Sequence, residues 1–285
     1  MALKHQFLAA SYYPLKVINL IRRTPRAPFG GRLRVLLYHD VAPWQEERFA
    51  AQLRWLSRSW QFKSPDEFAS IVTDNRGIHK DSLLLTFDDG FISSRHVAEK
   101  ILDSMGIKAL FFVVTEFASL SQEADYRTFV ARNIDPTLTP ANVPAHWRNM
   151  GWSDLSYLLD NGHSIGAHTA YHSRLSQVAD NDLDAEIVLS ADILEQKLGC
   201  KIKHFAYTFG DIASFSSAAL AVSRKRFDFI YTGLRGINSK NVMPWAIRRD
   251  AVTADDSFAL IGSLLEGGAD RFYAQSLKTY ESWGQ

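Results

Sequence analysis

From residue 33 onward, short apolar runs alternate with stretches of helical spacing, and this alternation constrains the fold more than any other feature of the chain. Leu33–Tyr38 (LRVLLY), Ser82–Phe87 (SLLLTF) and residues 109–114 (ALFFVV) are nearly continuous apolar runs, the pattern of strands covered on both faces. Ser164–Ala167 and residues 204–207, 229–232 and 246–249 extend the series. Between them, residues 49–60 have helical spacing, 94–105 stop at Gly106, 152–159 close at Asn161-Gly162, and 183–198 end at Gly199. Strands alternating with helices imply parallel pairing through crossovers, so the expected class is α/β, as a barrel or an open sheet. Residues 117–150 break the rhythm with Pro136, Pro140 and Pro144, and are expected to form a rim or lid insertion.

Charge separates the first segment from the rest. Residues 1–34 hold seven basic side chains and no acid, leaving 25 basic against 31 acidic residues beyond them. A chain near neutrality overall has no global attraction for nucleic acid, so none is expected as a partner. The apolar stretch 7–21 is broken by Pro14, Lys16 and Asn19, which makes it too short and polar to span a bilayer and a poor signal peptide. A cytoplasmic location is the resulting expectation. Two readings stand for residues 1–32, a basic amphipathic segment. In one, Tyr12, Tyr13, Leu15, Val17, Ile18, Leu20 and Ile21 face lipid and residues 1–34 make a peripheral membrane contact. In the other, a helix packs on the domain and a solvated basic linker follows it. The single cysteine, Cys200, rules out an internal disulfide and a cysteine-based zinc finger.

Where polar residues interrupt the apolar pattern, chemistry is expected. Asp88 and Asp89 directly follow LLLTF and precede Gly90. Two adjacent carboxylates at the end of a buried strand repel each other and need a compensating charge; the structural alternative is an Asx-type turn that caps the following helix. Ser164–Ala167 leads into His168 and His172, whose spacing on one helical turn would bring two imidazoles to one cation. With one carboxylate they form a His-His-Asp set, which leaves an open position in catalytic zinc sites. Both clusters fall at the C-terminal ends of parallel strands, where α/β proteins build active sites.

TFDDG at 86–90, GHSIGAHTAYH at 162–172 and FAYTFG at 205–210 resemble, in order and spacing, three motifs of the polysaccharide deacetylases, the family-four carbohydrate esterases. The resemblance covers residues 33 to 250. It implies a distorted (β/α) barrel with parallel strands, a single catalytic domain over 33–285, and removal of an acetyl group from an N-acetylated sugar or glycan with one divalent metal, zinc by family habit. Residue by residue, it implies Asp88 as general base, and Asp89, His168 and His172 as metal ligands. It also implies the backbone N–H of Phe209 as an oxyanion donor. His163 stands before its strand, where packing or a hydrogen bond is expected rather than ligation.

Two departures shift roles to other residues. The third motif of many members opens on an arginine that orients the base; Ala206 stands there, and Thr208 replaces a proline. Arg249 is the expected substitute, with Arg248 as the alternative, since strand alternation sends the two to opposite faces. The late histidine that acts as general acid in many members is also missing. Tyr38-His39-Asp40 resembles the Tyr-His motif of the biofilm exopolysaccharide deacetylases, which makes His39 the expected acid and Asp40 its partner. His5, His79, His96 and His146 lack an evident partner. Of Trp44, Trp152 and Trp245, the last follows Pro244 in a loop and is the expected sugar platform, with Tyr171 beside the metal. The rival readings are the same barrel acting on a non-sugar amide or an O-acetyl ester, and a catalytically inert glycan-binding domain.

Overall fold

Parallel strands organise the molecule, which we describe from a computed structural model covering residues 2–22, 30–74, 77–238 and 242–285. In chain order they are β1 (Leu33–Tyr38), β2 (Gln61–Phe62), β3 (Ser82–Phe87), β4 (Leu110–Val113), β5 (Ser164–Ala167), β6 (His204–Ala206), β7 (Phe229–Tyr231) and β8 (Asp250–Ala251). The sheet runs β7-β6-β5-β4-β3-β1-β8, and β2 pairs with β3 off this path. Every strand pairing is parallel, as the β–α alternation requires.

The two ends of the sheet are joined through one segment. Asp250 and Ala251 pair with Leu36 and Leu37 of β1, while Ile247 bridges Tyr231 of β7. The sheet is thereby curled into a distorted (β/α) barrel, a single domain of class α/β. The sequence placed this last strand at 246–249. The ladder instead forms at 250–251, because the segment changes partner midway and only its later residues lie along β1.

Burial follows a period of two. Val35, Leu84, Leu110, Phe112, Ala206, Tyr231 and Ile247 form one buried cluster inside the barrel. Their neighbours Leu36, Leu85, Phe111, Ile165, Phe205 and Ile230 belong to a second cluster beneath the helices. Gly166 is required by the interior packing: a Cβ there would come within 2.6 Å of the Phe112 ring. Residues in phase with the interior set continue into the mouth at the strands' C-terminal ends, and these include Asp88, His168 and Arg249.

Helix ends match their sequence signals. Gly106 and Gly199 cap their helices with left-handed φ values of 67° and 66°. Residues 117–150 are packed rather than loose. Phe117, Tyr126, Val130 and Val143 bury against Phe91 and Val114 in a third apolar cluster. The returning chain is tied to the first motif through Met150 N–H to Gly90 O (2.8 Å) and Ile92 N–H to Arg148 O (2.8 Å). This insertion forms a fixed rim.

Candidate active site

Asp88 and Asp89 emerge from β3 with both carboxylates directed into the mouth, which adjacent residues of an extended strand cannot achieve. The conformation of Asp89 resolves this: its φ is +71°, followed by Gly90 at +89°. Among the described residues, four non-glycine residues have positive φ, namely Asp89, Thr169, His172 and Phe209, and all belong to the three motif loops. Left-handed backbone at such residues is unfavourable and persists where surrounding contacts impose it, a pattern concentrated at functional sites. The helical turn expected over 168–172 is absent. Left-handed Thr169 (64°) and His172 (59°) fold the loop so that both imidazoles still converge.

Asp89, His168 and His172 are buried, and their ligand atoms lie within 4.8 Å of one another. Asp89 Oδ1 is 3.5 Å from His168 Nε2 and 3.3 Å from His172 Nε2, yet it is buried without a hydrogen-bond partner. Each imidazole is oriented from behind. His168 Nδ1 donates to Ala206 O (2.8 Å), and His172 Nδ1 donates to Asn133 O in the rim insertion (2.9 Å). With the proton on Nδ1, each Nε2 presents a lone pair to the shared space, the outer-shell arrangement of metal-ligating histidines. Burial pushes the Asp89 carboxyl up, but His168 and His172 outweigh it and hold it well below the usual carboxylate range. Burial opposes charge on His172, and Asp89 nevertheless raises its pKa. A buried anionic oxygen facing two nitrogen lone pairs needs a cation, and this donor set fits a divalent metal.

Asp88 takes no part in that cluster. Its Oδ1 accepts from Arg249 Nη1 at 2.7 Å, both side chains being buried. Its Oδ2 lies 3.8 Å from His168 Nε2. Arg249 is held in turn by Nε–H to Thr232 O (2.9 Å) and lies over the Phe112 ring, 5.2 Å from its centroid. Arg248 points away and pairs with Glu281 at 2.8 Å. Strand alternation therefore assigns one arginine to the mouth and its neighbour to the outer surface.

The third motif closes the far wall. Phe209 (φ 62°) and Gly210 (φ 76°) form a tight turn, and Gly210 approaches Gly233 so closely that a Cβ would meet its Cα at 2.9 Å. Thr208 uses its hydroxyl to fix this turn to the histidine loop, donating to Ser173 O at 2.6 Å. Glu186 anchors the same loop from below. Its carboxylate accepts from Ala170 N–H and Tyr171 N–H (both 3.2 Å) and from Ser173 Oγ (2.7 Å). Sequence reasoning missed Glu186, which looks like any charged residue on an amphipathic helix.

His39 is exposed at the end of β1, beside the first motif through the Asp88 N–H to Tyr38 O bond (2.9 Å). Asp40 does not orient it. The Asp40 carboxylate is engaged by Ser93 Oγ (2.5 Å), His146 Nε2 (2.9 Å) and Trp147 Nε1 (3.0 Å). That contact also gives His146, expected to lack a partner, a defined place in the rim. His163 makes hydrogen bonds, accepting from Ala109 N–H at Nδ1 (3.0 Å) and reaching Asp103 (3.2 Å).

The aromatic expectation divides. Tyr171 and Phe209 are 48% and 42% exposed and belong to the loops carrying the site. Trp245 is elsewhere: it packs on Tyr280, Arg224 and Gly284 near the end from which the strands start. Contacts with the C-terminal helix, invisible in the local Pro-Trp pattern, remove it from any substrate path. Trp44, 74% exposed, lies on the loop after β1 with its ring centroid 4.9 Å from that of His146.

Comparison with known proteins agrees with this geometry. The fold is shared with the deacetylase PplD of Streptococcus pyogenes, solved in complex with acetate, at a TM-score of 0.64 and 20% identity over 82% of this chain and 98% of that one. IcaB from Ammonifex degensii gives 0.64 and 21% over 83% and 97%. YxkH of Bacillus subtilis (strain 168), provisionally named a polysaccharide deacetylase, is 20% identical over 242 residues, 82% of this chain and 76% of that protein. The sequence profile described as polysaccharide deacetylase matches residues 75–225, more than half of the chain and inclusive of all three motifs. The chain therefore belongs to the polysaccharide deacetylase family.

Proposed function

We propose that this protein hydrolyses the acetamido group of an N-acetylated sugar or glycan, with zinc as the divalent metal. The observation that carries the reading is the division of labour between adjacent carboxylates. Asp89 faces two imidazoles, while Asp88 is fixed by Arg249 through one oxygen and keeps the other free beside the same cluster. An inert binding domain has no use for a buried, oriented and uncommitted carboxylate.

Asp89, His168 and His172 would hold a divalent cation, and when bound it would supply Lewis acidity toward the acetyl carbonyl and a nearby water. Asp88 accepts that water's proton at Oδ2, and Arg249 keeps its carboxylate in position. As the carbonyl oxygen gains charge, the N–H of Phe209, presented by the left-handed turn at 209–210, donates to it. His39 delivers a proton to the departing sugar nitrogen, so that the C–N bond breaks to acetate and a free amine. Trp44 and Tyr171, the exposed aromatics at this end, offer flat faces to a pyranose ring.

The test is an acetate-release screen of the metal-loaded protein over N-acetylhexosamine polymers, lipid-linked saccharides and nucleotide sugars, with O-acetylated xylan as the ester control, with and without chelator. Chelator-sensitive release from an N-acetylated saccharide is expected. Release from the O-acetyl ester alone, or from nothing in the panel, would contradict the assignment.

A further inference from the structure

The N-terminal helices Ala2–Ala10 and Tyr12–Arg22 use only one side to hold the domain. On the second helix the inward stripe is Tyr12, Leu15 and Asn19. The Tyr12 ring fills the space left by Gly262, where a Cβ would lie within 2.5 Å. Leu15 reaches Gly268, and Asn19 Nδ2 donates to Glu266 O at 2.9 Å. Ser11 Oγ pairs with Ser263 Oγ at 2.8 Å. The helix is thus anchored on the domain, as the packing reading anticipated.

The outer face is apolar. Tyr13, Val17, Leu20 and Ile21 recur at helical spacing and are 72%, 55%, 70% and 76% exposed, with Phe7 on the preceding helix at 78%. Such a contiguous stripe on a surface helix marks an interaction site.

Charge decides which partner fits. Of the seven basic residues in 1–34, two are consumed inside the domain: Arg32 pairs with Asp81 and Glu266, and Arg34 with Asp250 and Asp270. Lys16 is exposed on the second helix, and Lys4, Arg22, Arg23 and Arg26 belong to the same basic stretch of sequence. A cleft of about 500 Å³ beside the stripe is lined by Lys16, Leu20 and Arg58, together with Arg32 and its ion-pair partners Asp81 and Glu266. Neither Lys16 nor Arg58 forms an ion pair among the described residues. A second copy of the chain would oppose two basic segments with no acid in either to offset them. A bilayer with anionic headgroups offers what the face lacks, apolar depth flanked by negative charge.

We propose that this face rests on an anionic lipid surface, with Tyr13, Val17, Leu20 and Ile21 at the acyl boundary and Lys16 and Arg58 among the headgroups. The contact is peripheral, since no helix among the described residues is long and apolar enough to cross a membrane.

Flotation of the full chain with phosphatidylcholine vesicles, with and without about 30 mol % phosphatidylglycerol, tests the proposal. Binding is expected only with the anionic lipid, and Leu20→Glu with Ile21→Glu should weaken it at least about tenfold without changing the melting temperature. If that pair lowers the melting temperature, Val17→Ser with Leu20→Ser, which adds no charge, carries the same expectation. Absent flotation, equal flotation on neutral vesicles, undiminished binding by the variants, or a solution dimer that the variants dissolve in place of binding would each overturn it.

Discussion

Among the described residues two arginines are buried, Arg34 and Arg249, and they are used in opposite ways. Arg34 lies between two carboxylates, with Nη1 3.0 Å from Asp250 and Nη2 2.7 Å from Asp270. It ties β1 to β8 and to the helix Asp270–Ser282, and its charge is spent on architecture. Arg249 holds a single carboxylate, Asp88, at 2.7 Å, and its Nη2 is buried without a partner. The first network lies on the outward side of the sheet, where Arg34 Nε and Asp250 Oδ1 are also buried without hydrogen bonds. The second ends in a mouth where one oxygen of Asp88 stays available. The backbone follows the same division, because the left-handed non-glycine residues all cluster in the motif loops. Neither buried charge nor an unpaired buried atom is therefore a sign of function by itself; what distinguishes the candidate site is an oriented carboxylate, Asp88, beside the cluster of Asp89, His168 and His172.

That contrast is breakable by substitution. The largest effect on turnover is expected for Asp88→Asn, about a thousandfold loss of acetate release with metal content retained, by the usual worth of a general base. Unchanged turnover would remove Asp88 as the base. Arg34→Ala strands the buried carboxylate of Asp250 and should cost about 3–5 kcal/mol of stability in denaturant titration, with turnover per folded molecule unchanged; a large turnover defect would erase the distinction between the two arginines. Arg249→Lys keeps the charge but not the fork, so about a hundredfold loss in kcat is expected with a smaller loss of stability.

A smaller, pH-dependent effect belongs to the end of the barrel opposite the Asp89, His168 and His172 cluster. His204 is buried against Phe229 and Tyr231, and burial lowers its pKa from 6.5 to about 3. Between those values the unfolded chain binds a proton that the folded protein does not, so stability falls as pH drops through that window. His204→Phe should lose less stability than the parent between pH 7 and pH 4.5, by about 2–3 kcal/mol. The hydroxyl of Tyr231, left unpaired in the variant, shifts both pH values alike and drops out of that difference. An identical pH dependence would contradict a neutral buried His204. The smallest effect is expected for Trp245→Ala, which should leave KM within about twofold because the ring lies outside the substrate path, whereas Trp44→Ala raises it.

Much of this was legible in the sequence for identifiable reasons. Strands buried on both faces announce themselves as runs such as LRVLLY and SLLLTF, and helix ends carry Gly106 and Gly199. The convergence of Asp89, His168 and His172 was readable because both motifs follow predicted parallel strands, and alternation separated Arg249 from Arg248. What stayed hidden lies in long-range contacts and in backbone atoms. The carbonyls of Asn133 and Ala206 orient the histidines, yet a carbonyl has no residue-type signature. Left-handed Asp89 and His172 carry no glycine to betray them. Arg34 and Asp250 find each other across more than two hundred residues. The same blindness inflated the positive charge of the N-terminal segment, since Arg32 and Arg34 turn inward.

The most direct test of the central claim is an anomalous-difference map at the zinc edge from zinc-soaked crystals. One peak is expected, about 2.0–2.2 Å from a carboxylate oxygen of Asp89 and from Nε2 of His168 and His172, with Asp88 outside the coordination sphere and still paired with Arg249. No peak at this position, or a peak ligated by Asp88 in place of Asp89, would contradict the account.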